Sequence, residues 1–231
     1  IGFLILSDVI RKDAKETLDY FRKQDVQIKI ISGDDPSTVS AIARRCHLLD
    51  YEKYIDVSSL SDEEIQEAVE KYTIFGRVSP QQKKLMVTTL QENDHTVAMT
   101  GDGVNDVLAL KAADCSIAMA SGSDAAKSAS HIVLLKNNFN AMPHIVNEGR
   151  RVINNITASA SMYLIKTIFS VVLSIGMILF GHGYPFKPIQ LTVISACCVG
   201  IPTFFLTYEP NFKRVSGDFL KTVFKNAFPF A

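Results

Sequence analysis

The sequence carries no surplus of charge of either sign: Lys and Arg number 24, and so do Asp and Glu. That balance excludes the basic surface on which nucleic-acid binding depends, so no nucleic-acid partner is expected. Cysteine is scarce as well, with only 4 in 231 residues. Cys46, Cys115, Cys197 and Cys198 show the spacing of neither a disulfide framework nor a zinc ribbon, and the first two read as small buried side chains. There is no initiator Met and no signal peptide, and the chain starts inside an apolar stretch, which reads as a segment of something longer. Charge is also missing locally. Residues 158–208 hold very few charges, whereas 1–157 mix charged and apolar positions as a soluble domain does.

Two apolar runs, 162–180 and 189–207, lie in that charge-poor part. Each is about long enough to cross a hydrocarbon core as a helix. The turn between them, Gly181 to Pro188, is short, so a helical hairpin with both ends on one side of a bilayer is expected. Arg150 and Arg151 precede it and Lys213 and Arg214 follow it, which puts that side, with residues 1–157, in the cytoplasm of a multi-pass cell-membrane protein. The alternative, a pair of buried core helices, asks for more cover than a chain of this size offers.

Along residues 1–135 short apolar runs alternate with helical periodicity. Candidate strands are 3–6, 26–31, 73–75, 96–99, 115–118 and 132–135. Ala14, Leu18 and Phe21 recur at i, i+4, i+7 and give one helix an apolar face, and Val39, Ile42, Ala43 and Cys46 do the same after Pro36. Ser61 to Glu64 and Ser79 to Gln82 read as capping boxes that start two more helices. Strand–helix–strand repetition implies an α/β fold with a doubly wound parallel sheet, followed here by the transmembrane hairpin. Ligands of such sheets bind beyond the carboxyl ends of the strands, so the polar clusters there should converge.

Those clusters have a chemistry. Thr100-Gly101-Asp102-Gly103-Val104-Asn105-Asp106 follows a strand and precedes a helix. Its glycines allow a tight turn, and Asp102 and Asp106, four apart, offer two carboxylates to a small hard cation such as Mg²⁺. Asn105 adds a neutral group that orients phosphate. Ser32-Gly33-Asp34 supplies a hydroxyl and backbone N–H groups at a helix start, a cradle for phosphoryl oxygens. Arg77 and Lys83 follow another strand, where Lys83 would neutralise charge on a transferring phosphoryl group.

Taken in order, these segments resemble the P-type ATPases of the haloacid dehalogenase-like superfamily. Asp102 to Asp106 is similar to the signature of that family, Ser32-Gly33-Asp34 to its Thr-Gly-Asp, and Arg77 to Lys83 to the segment with the phosphate-contacting Lys. Asp8-Val9-Ile10-Arg11 resembles the hinge motif, which implies Arg11 beside the nucleotide path. Residues 118–135, with Ser121-Gly122-Ser123 and Lys127, resemble the following strand–helix–strand. Glu148-Gly149-Arg150-Arg151 with Asn154-Asn155 resembles the stalk of the fifth transmembrane helix, and Pro188 to Leu191 the start of the sixth.

The resemblance implies an ATP-driven pump for a cation, with Ca²⁺ or another divalent ion foremost, that cycles through an aspartyl-phosphate with Mg²⁺ as cofactor. It implies the C-terminal part of a cytoplasmic HAD-like Rossmannoid phosphorylation domain over 1–145, a stalk and transmembrane hairpin over 146–211, and a cytoplasmic segment over 212–231 leading to a further helix. The phosphorylated Asp-Lys-Thr-Gly-Thr, the actuator and the nucleotide-binding domain have no counterpart in this sequence, so the segment alone is expected to be inactive and to need those domains as partners. The alternatives are a soluble-type phosphatase of the same superfamily and a non-catalytic membrane scaffold.

The membrane part departs from the familiar pumps. The first apolar run has no acidic or amide residue but carries Lys166, either a functional charge or one that snorkels to the interface. A Lys at the centre of such a helix costs about 2.5–3.5 kcal/mol. Gly200-Ile201-Pro202 resembles the unwound point of the sixth helix, where Pro frees a carbonyl on the transport path, but Val199 stands where many members have Asp. Cys197 and Cys198 are read as packing residues rather than soft-metal ligands.

Overall fold

The computed structural model describes residues 14–136, 138–181, 183–215 and 217–230. The chain divides into two compact units, Ile1–Pro143 and His144–Ala231. The expected strand at 3–6 and Arg11 lie outside the described residues.

In the first unit strands and helices alternate. Helix α1 (Ala14–Lys23) leads to β1 (Ile30–Ile31), α2 (Pro36–Arg45), β2 (Tyr54–Asp56) and α3 (Asp62–Lys71). Then come β3 (Ile74–Gly76), α4 (Pro80–Glu92), β4 (Ala98–Gly101), α5 (Val107–Ala112), β5 (Cys115–Met119), α6 (Asp124–Ala129) and β6 (Ile132–Leu134). Every strand pair is parallel, as the alternation required. Among the described residues the strands pair as two three-stranded sets, ordered β1-β3-β2 and β4-β5-β6.

Local chemistry explains the helix starts. Ser61 accepts from the Glu64 N–H while Glu64 accepts from the Ser61 N–H, and Ser79 and Gln82 repeat the exchange. Pro80 and Pro36 each occupy a first-turn position where no N–H is needed. The first core joins Val57, Ile65, Ala68, Val69, Phe75, Val78 and Met86, the second Val87, Met99, Ala109, Leu110, Ala113 and Ala126. Both draw on α4, whose Met86 and Val87 are adjacent and face the two cores in turn. Thr17, fully buried on α1, donates to Asn140 Oδ1 at 3.1 Å.

The second unit has two helical stretches long and apolar enough to cross a membrane, Ala141–Leu179 and Pro188–Leu206. The first is one unbroken helix, α7, so the stalk residues run straight into the apolar run. The second is α8 (Pro188–Ser195), a π turn (Ala196–Gly200) and α9 (Ile201–Leu206). Hydroxyls along both stretches turn inward: Ser161, Thr167, Ser174, Thr192 and Ser195 each donate to the carbonyl four residues earlier. Three side chains of α7 fasten the end of the second stretch. Arg151 donates to Thr207 O at 3.0 Å, Asn155 to Glu209 O at 3.0 Å, and Asn154 to Asn211 O at 3.1 Å and Lys213 O at 2.9 Å. Glu148 pairs with Arg151 and steadies it. A last helix, α10, covers Phe219–Ala227.

One glycine tests the packing of the first unit. A Cβ on the buried Gly76 would sit 2.4 Å from the Pro36 ring and 2.5 Å from its backbone N. Gly76→Ala is expected to destabilise the unit by about 1–3 kcal/mol. Denaturant unfolding of the chain in detergent, followed by circular dichroism, reads this out; an unchanged midpoint would mean the β3–α2 contact is looser than described.

Candidate functional site

The polar clusters that follow β1, β3 and β4 are tied together by hydrogen bonds. The Ser32 N–H donates to Phe75 O at 2.9 Å and the Val78 N–H to Ser32 O at 3.0 Å, so the loop after β1 is laced to the loop after β3. The Arg77 N–H adds a bond to Asp34 O at 2.8 Å. Within the first loop the Ser32 hydroxyl donates to Asp34 Oδ2 at 3.0 Å and accepts from the Asp34 N–H at 3.1 Å. Ser32 is half-buried; Gly33 and Asp34 are exposed.

The loop after β3 starts α4, and α4 carries Lys83 into the interior. Its ammonium donates to Asp106 Oδ1 at 2.7 Å, with only 10% and 11% of the two side chains exposed. The other carboxylate oxygen, Asp106 Oδ2, accepts the N–H groups of Gly103 at 3.0 Å and Asp102 at 3.2 Å. Asp106 thus clamps the turn after β4 while neutralising Lys83. Gly101 permits this, because a Cβ there would lie 2.6 Å from the Asp106 Cβ. Asp102 and Asn105 are left exposed on the turn.

A fourth loop, after β5, closes on the same turn. The Ser123 N–H donates to Asp102 O at 2.8 Å, and a Cβ on Gly122 would meet that same oxygen at 2.8 Å. Ser32, Lys83, Asp102, Asn105 and Asp106 therefore all sit on loops or helix starts at the carboxyl ends of parallel strands, where an open α/β sheet places its ligand. Among the described residues no group of three or more His, Cys, Asp and Glu is gathered tightly enough to hold a metal by protein ligands alone.

Arg77 is placed differently from a free phosphate ligand. Its backbone lies in the left-handed region (φ 55°), and its guanidinium bridges Asp35 Oδ2 at 2.9 Å and Asp56 Oδ2 at 3.2 Å. Asp35 and Asp56 each accept the N–H and hydroxyl of a serine two residues on, Ser37 and Ser58. Those serine bonds first, and Arg77 second, hold both carboxyls below the ordinary value of 3.8. Neither Asp was singled out from the sequence. The available signal was the repeated Asp-x-Ser of Asp35-Pro36-Ser37 and Asp56-Val57-Ser58, the spacing of a side-chain-closed turn.

The family model of haloacid dehalogenase-like hydrolases matches residues 1–114. Over the whole chain the sequence is 49% identical to a probable cation-transporting ATPase, exp7, of Streptococcus pneumoniae, covering 31% of that protein. It is 44% identical to the calcium-transporting ATPase CtpE of Mycobacterium tuberculosis, again over the whole chain and 30% of the relative. The chain belongs to the P-type cation-transporting ATPases. A solved structure of a zinc-transporting PIB-type ATPase in the E2.Pi state shares the fold over 95% of this chain and 28% of its own, at a TM-score of 0.63 and 23% identity. This P-type ATPase chain thus spans less than a third of the length of either curated relative.

Two outcomes are expected of the site. Lys83→Met leaves the Asp106 carboxylate buried without its counter-charge and should cost about 3–5 kcal/mol, while Lys83→Met with Asp106→Asn should cost less than the sum of those two single changes. Denaturant unfolding of the four proteins gives the coupling, and additive effects would mean that the pair is not a unit. At acid pH the sign is set by the lowered carboxyls. Asp35 and Asp56 lend stability above pH 3.8 and lose it only as the pH falls below that value. Ser37→Ala with Ser58→Ala should therefore begin acid unfolding at a higher pH than the parent chain.

Proposed function

We propose that this chain is the catalytic and membrane core of an ATP-driven cation pump that forms an aspartyl-phosphate, with Ca²⁺ as its transported ion. The observation that carries the reading is the buried Lys83–Asp106 pair, fixed where four strand-end loops meet. A lysine held there by a carboxylate is a preorganised positive charge for a phosphoryl group approaching the turn after β4. The Gly33 N–H, with the Ser32 hydroxyl and the Asp34 N–H once they release the bonds they make within the loop, would take the equatorial phosphoryl oxygens, and Asn105 would orient the group. Arg77, with Arg11 from the hinge-like segment, would serve the nucleotide side, Arg77 chiefly by holding the Ser32 to Asp34 loop in place.

The donors fit Mg²⁺ in one particular way. Asp102 presents an exposed carboxylate, while Asp106 is already engaged by Lys83 and two N–H groups. Mg²⁺ is commonly held by one or two carboxylates with phosphate oxygens and waters completing its shell, which suits Asp102 with support from Asp106. Bound there, the ion would neutralise charge on the phosphoryl group. The acceptor Asp must be delivered to this point, and among the described residues β1 and β4, which carry Ser32 and Asp102 at their ends, are outer strands beside which a further strand would place it.

In the membrane part, the hairpin would cross the bilayer with residues 1–157 in the cytoplasm. Pro202 lacks the N–H that would serve a carbonyl one turn back, and the π turn through Gly200 already bonds Ile201 N–H to Ala196 O. Thr203 Oγ1, just beyond, is buried with no hydrogen-bond partner among the described residues. A freed carbonyl and a hydroxyl are hard oxygen donors, the kind that Ca²⁺ takes, and the CtpE relative carries calcium in its name. Lys166 stands 13 residues before the end of α7, about 20 Å from it along the axis, and four residues, about 6 Å, into the apolar run 162–180. There it would act as a built-in positive charge on the path or snorkel to the cytoplasmic interface.

The test is acid-stable, hydroxylamine-sensitive phosphoenzyme from labelled ATP in vesicles of the full-length protein, with Ca²⁺, Mg²⁺, Mn²⁺, Zn²⁺, Na⁺ and K⁺ screened in turn. Stimulation by Ca²⁺, lost in Asp102→Ala, is expected. Stimulation by another ion would correct the substrate. No phosphoenzyme from folded, ATP-binding protein would overturn the reading in favour of a scaffold or another phosphohydrolase.

A further inference from the structure

Helix α10 has two faces. Successive residues turn by about 100°, so Phe219, Leu220, Val223, Phe224 and Ala227 fall within an arc of about 140°. Lys221 and Lys225 stand one turn apart on the opposite side. Val223 and Ala227, in the middle of the apolar arc, are buried at 6% and 0%. The flanks are not: Phe219, Leu220 and Phe224 are 43%, 62% and 54% exposed, and Phe228 and Phe230 follow at 75% and 77%. Asp218 is committed as the cap, accepting the Leu220 N–H at 2.8 Å, so the helix begins at a fixed point. Large aromatic side chains held open beside lysines need a cover that is apolar on one side and anionic on the other.

We propose that α10 lies in the plane of the bilayer surface, with its Phe-rich flanks in the headgroup–acyl boundary and its lysines toward anionic phospholipid headgroups. This rests on the reading that Ala141–Leu179 and Pro188–Leu206 cross the membrane. Two features choose the lipid over other covers. The first is continuity: only 207–218 separate α9 from α10, and the Asn154 and Asn155 bonds pin 209–213 beside α7, so α10 starts close to where the hairpin leaves the membrane. The second is charge. Lys213 precedes the helix and Lys221 and Lys225 stand on it, and the acidic residue nearest in sequence, Asp218, is occupied in the cap. A basic amphipathic helix rich in Phe and Leu is what an anionic interface binds.

The chain contains no tryptophan, so single reporters are clean. The 231-residue chain would be reconstituted in phosphatidylcholine–phosphatidylglycerol vesicles carrying brominated acyl chains, with Phe224→Trp, Lys225→Trp and Phe169→Trp as probes. Phe224→Trp should be quenched most by bromine near the headgroup and shielded from aqueous iodide, and Lys225→Trp the reverse. Phe169→Trp, on α7, should respond to bromine deep in the core. Adding Lys213→Gln and Lys221→Gln to Phe224→Trp should lower its lipid quenching by about twofold or more in anionic vesicles. Iodide quenching of Phe224→Trp, or protection from both quenchers as a protein cover would give, overturns the proposal while Phe169→Trp keeps its lipid signal. Loss of the Phe169→Trp signal overturns the membrane reading and the proposal with it.

Discussion

The first unit depends on the bond between Lys83 and Asp106. Neither three-stranded sheet is large, and each has its own small core; α4 packs against both and Lys83 is where it grips the second sheet's turn. Burying two opposite charges is expensive, and well-packed apolar residues usually do as well for stability. The pair makes better sense as a chemical fixture whose upkeep is offset by its other bonds. Asp106 satisfies one lysine proton and two backbone N–H groups with two oxygens, so the charge that holds the lysine also holds the shape of the loop.

What the sequence revealed and what it hid follow from the same physics. Capping boxes are local, and those at Ser61 and Ser79 were readable because donor and acceptor lie three residues apart. The turn from Thr100 to Asp106 was readable for the same reason. Strand β2 was missed because Tyr54-Ile55-Asp56 is a three-residue outer strand with no apolar run, paired through β3. The run 26–31 promised a longer strand than β1, which keeps only Ile30 and Ile31 because only they find partners on β3. The strand orders β1-β3-β2 and β4-β5-β6 could not be read, since strand neighbours are set by long-range pairing.

Arg77 shows a related limit. Its position after a strand marked it as a phosphate ligand, yet its immediate partners are two carboxylates from distant segments. Only the fold brings Asp35 and Asp56 to it. In the second unit the apolar runs were legible from composition and the irregularity at Gly200-Ile201-Pro202 from its residues, but neither the unbroken length of α7 nor the π form of the turn was. Helix continuity hides in a sequence with no breaker, and a widened turn leaves no periodic trace.

The fastening of residues 207–213 onto Arg151, Asn154 and Asn155 has a mechanical meaning. It acts as a fulcrum on a stiff rod. From Asn155 to Leu179 the helix measures about 36 Å at ~1.5 Å per residue. A tilt of about 5° about that point therefore swings the far tip by about 3 Å, on the order of the diameter of a bare cation, while the pivot itself hardly moves. The near arm, from Ala141 to Asn155, measures about 21 Å, so the same tilt moves that end by about 2 Å, and the helix as a lever enlarges a displacement less than twofold.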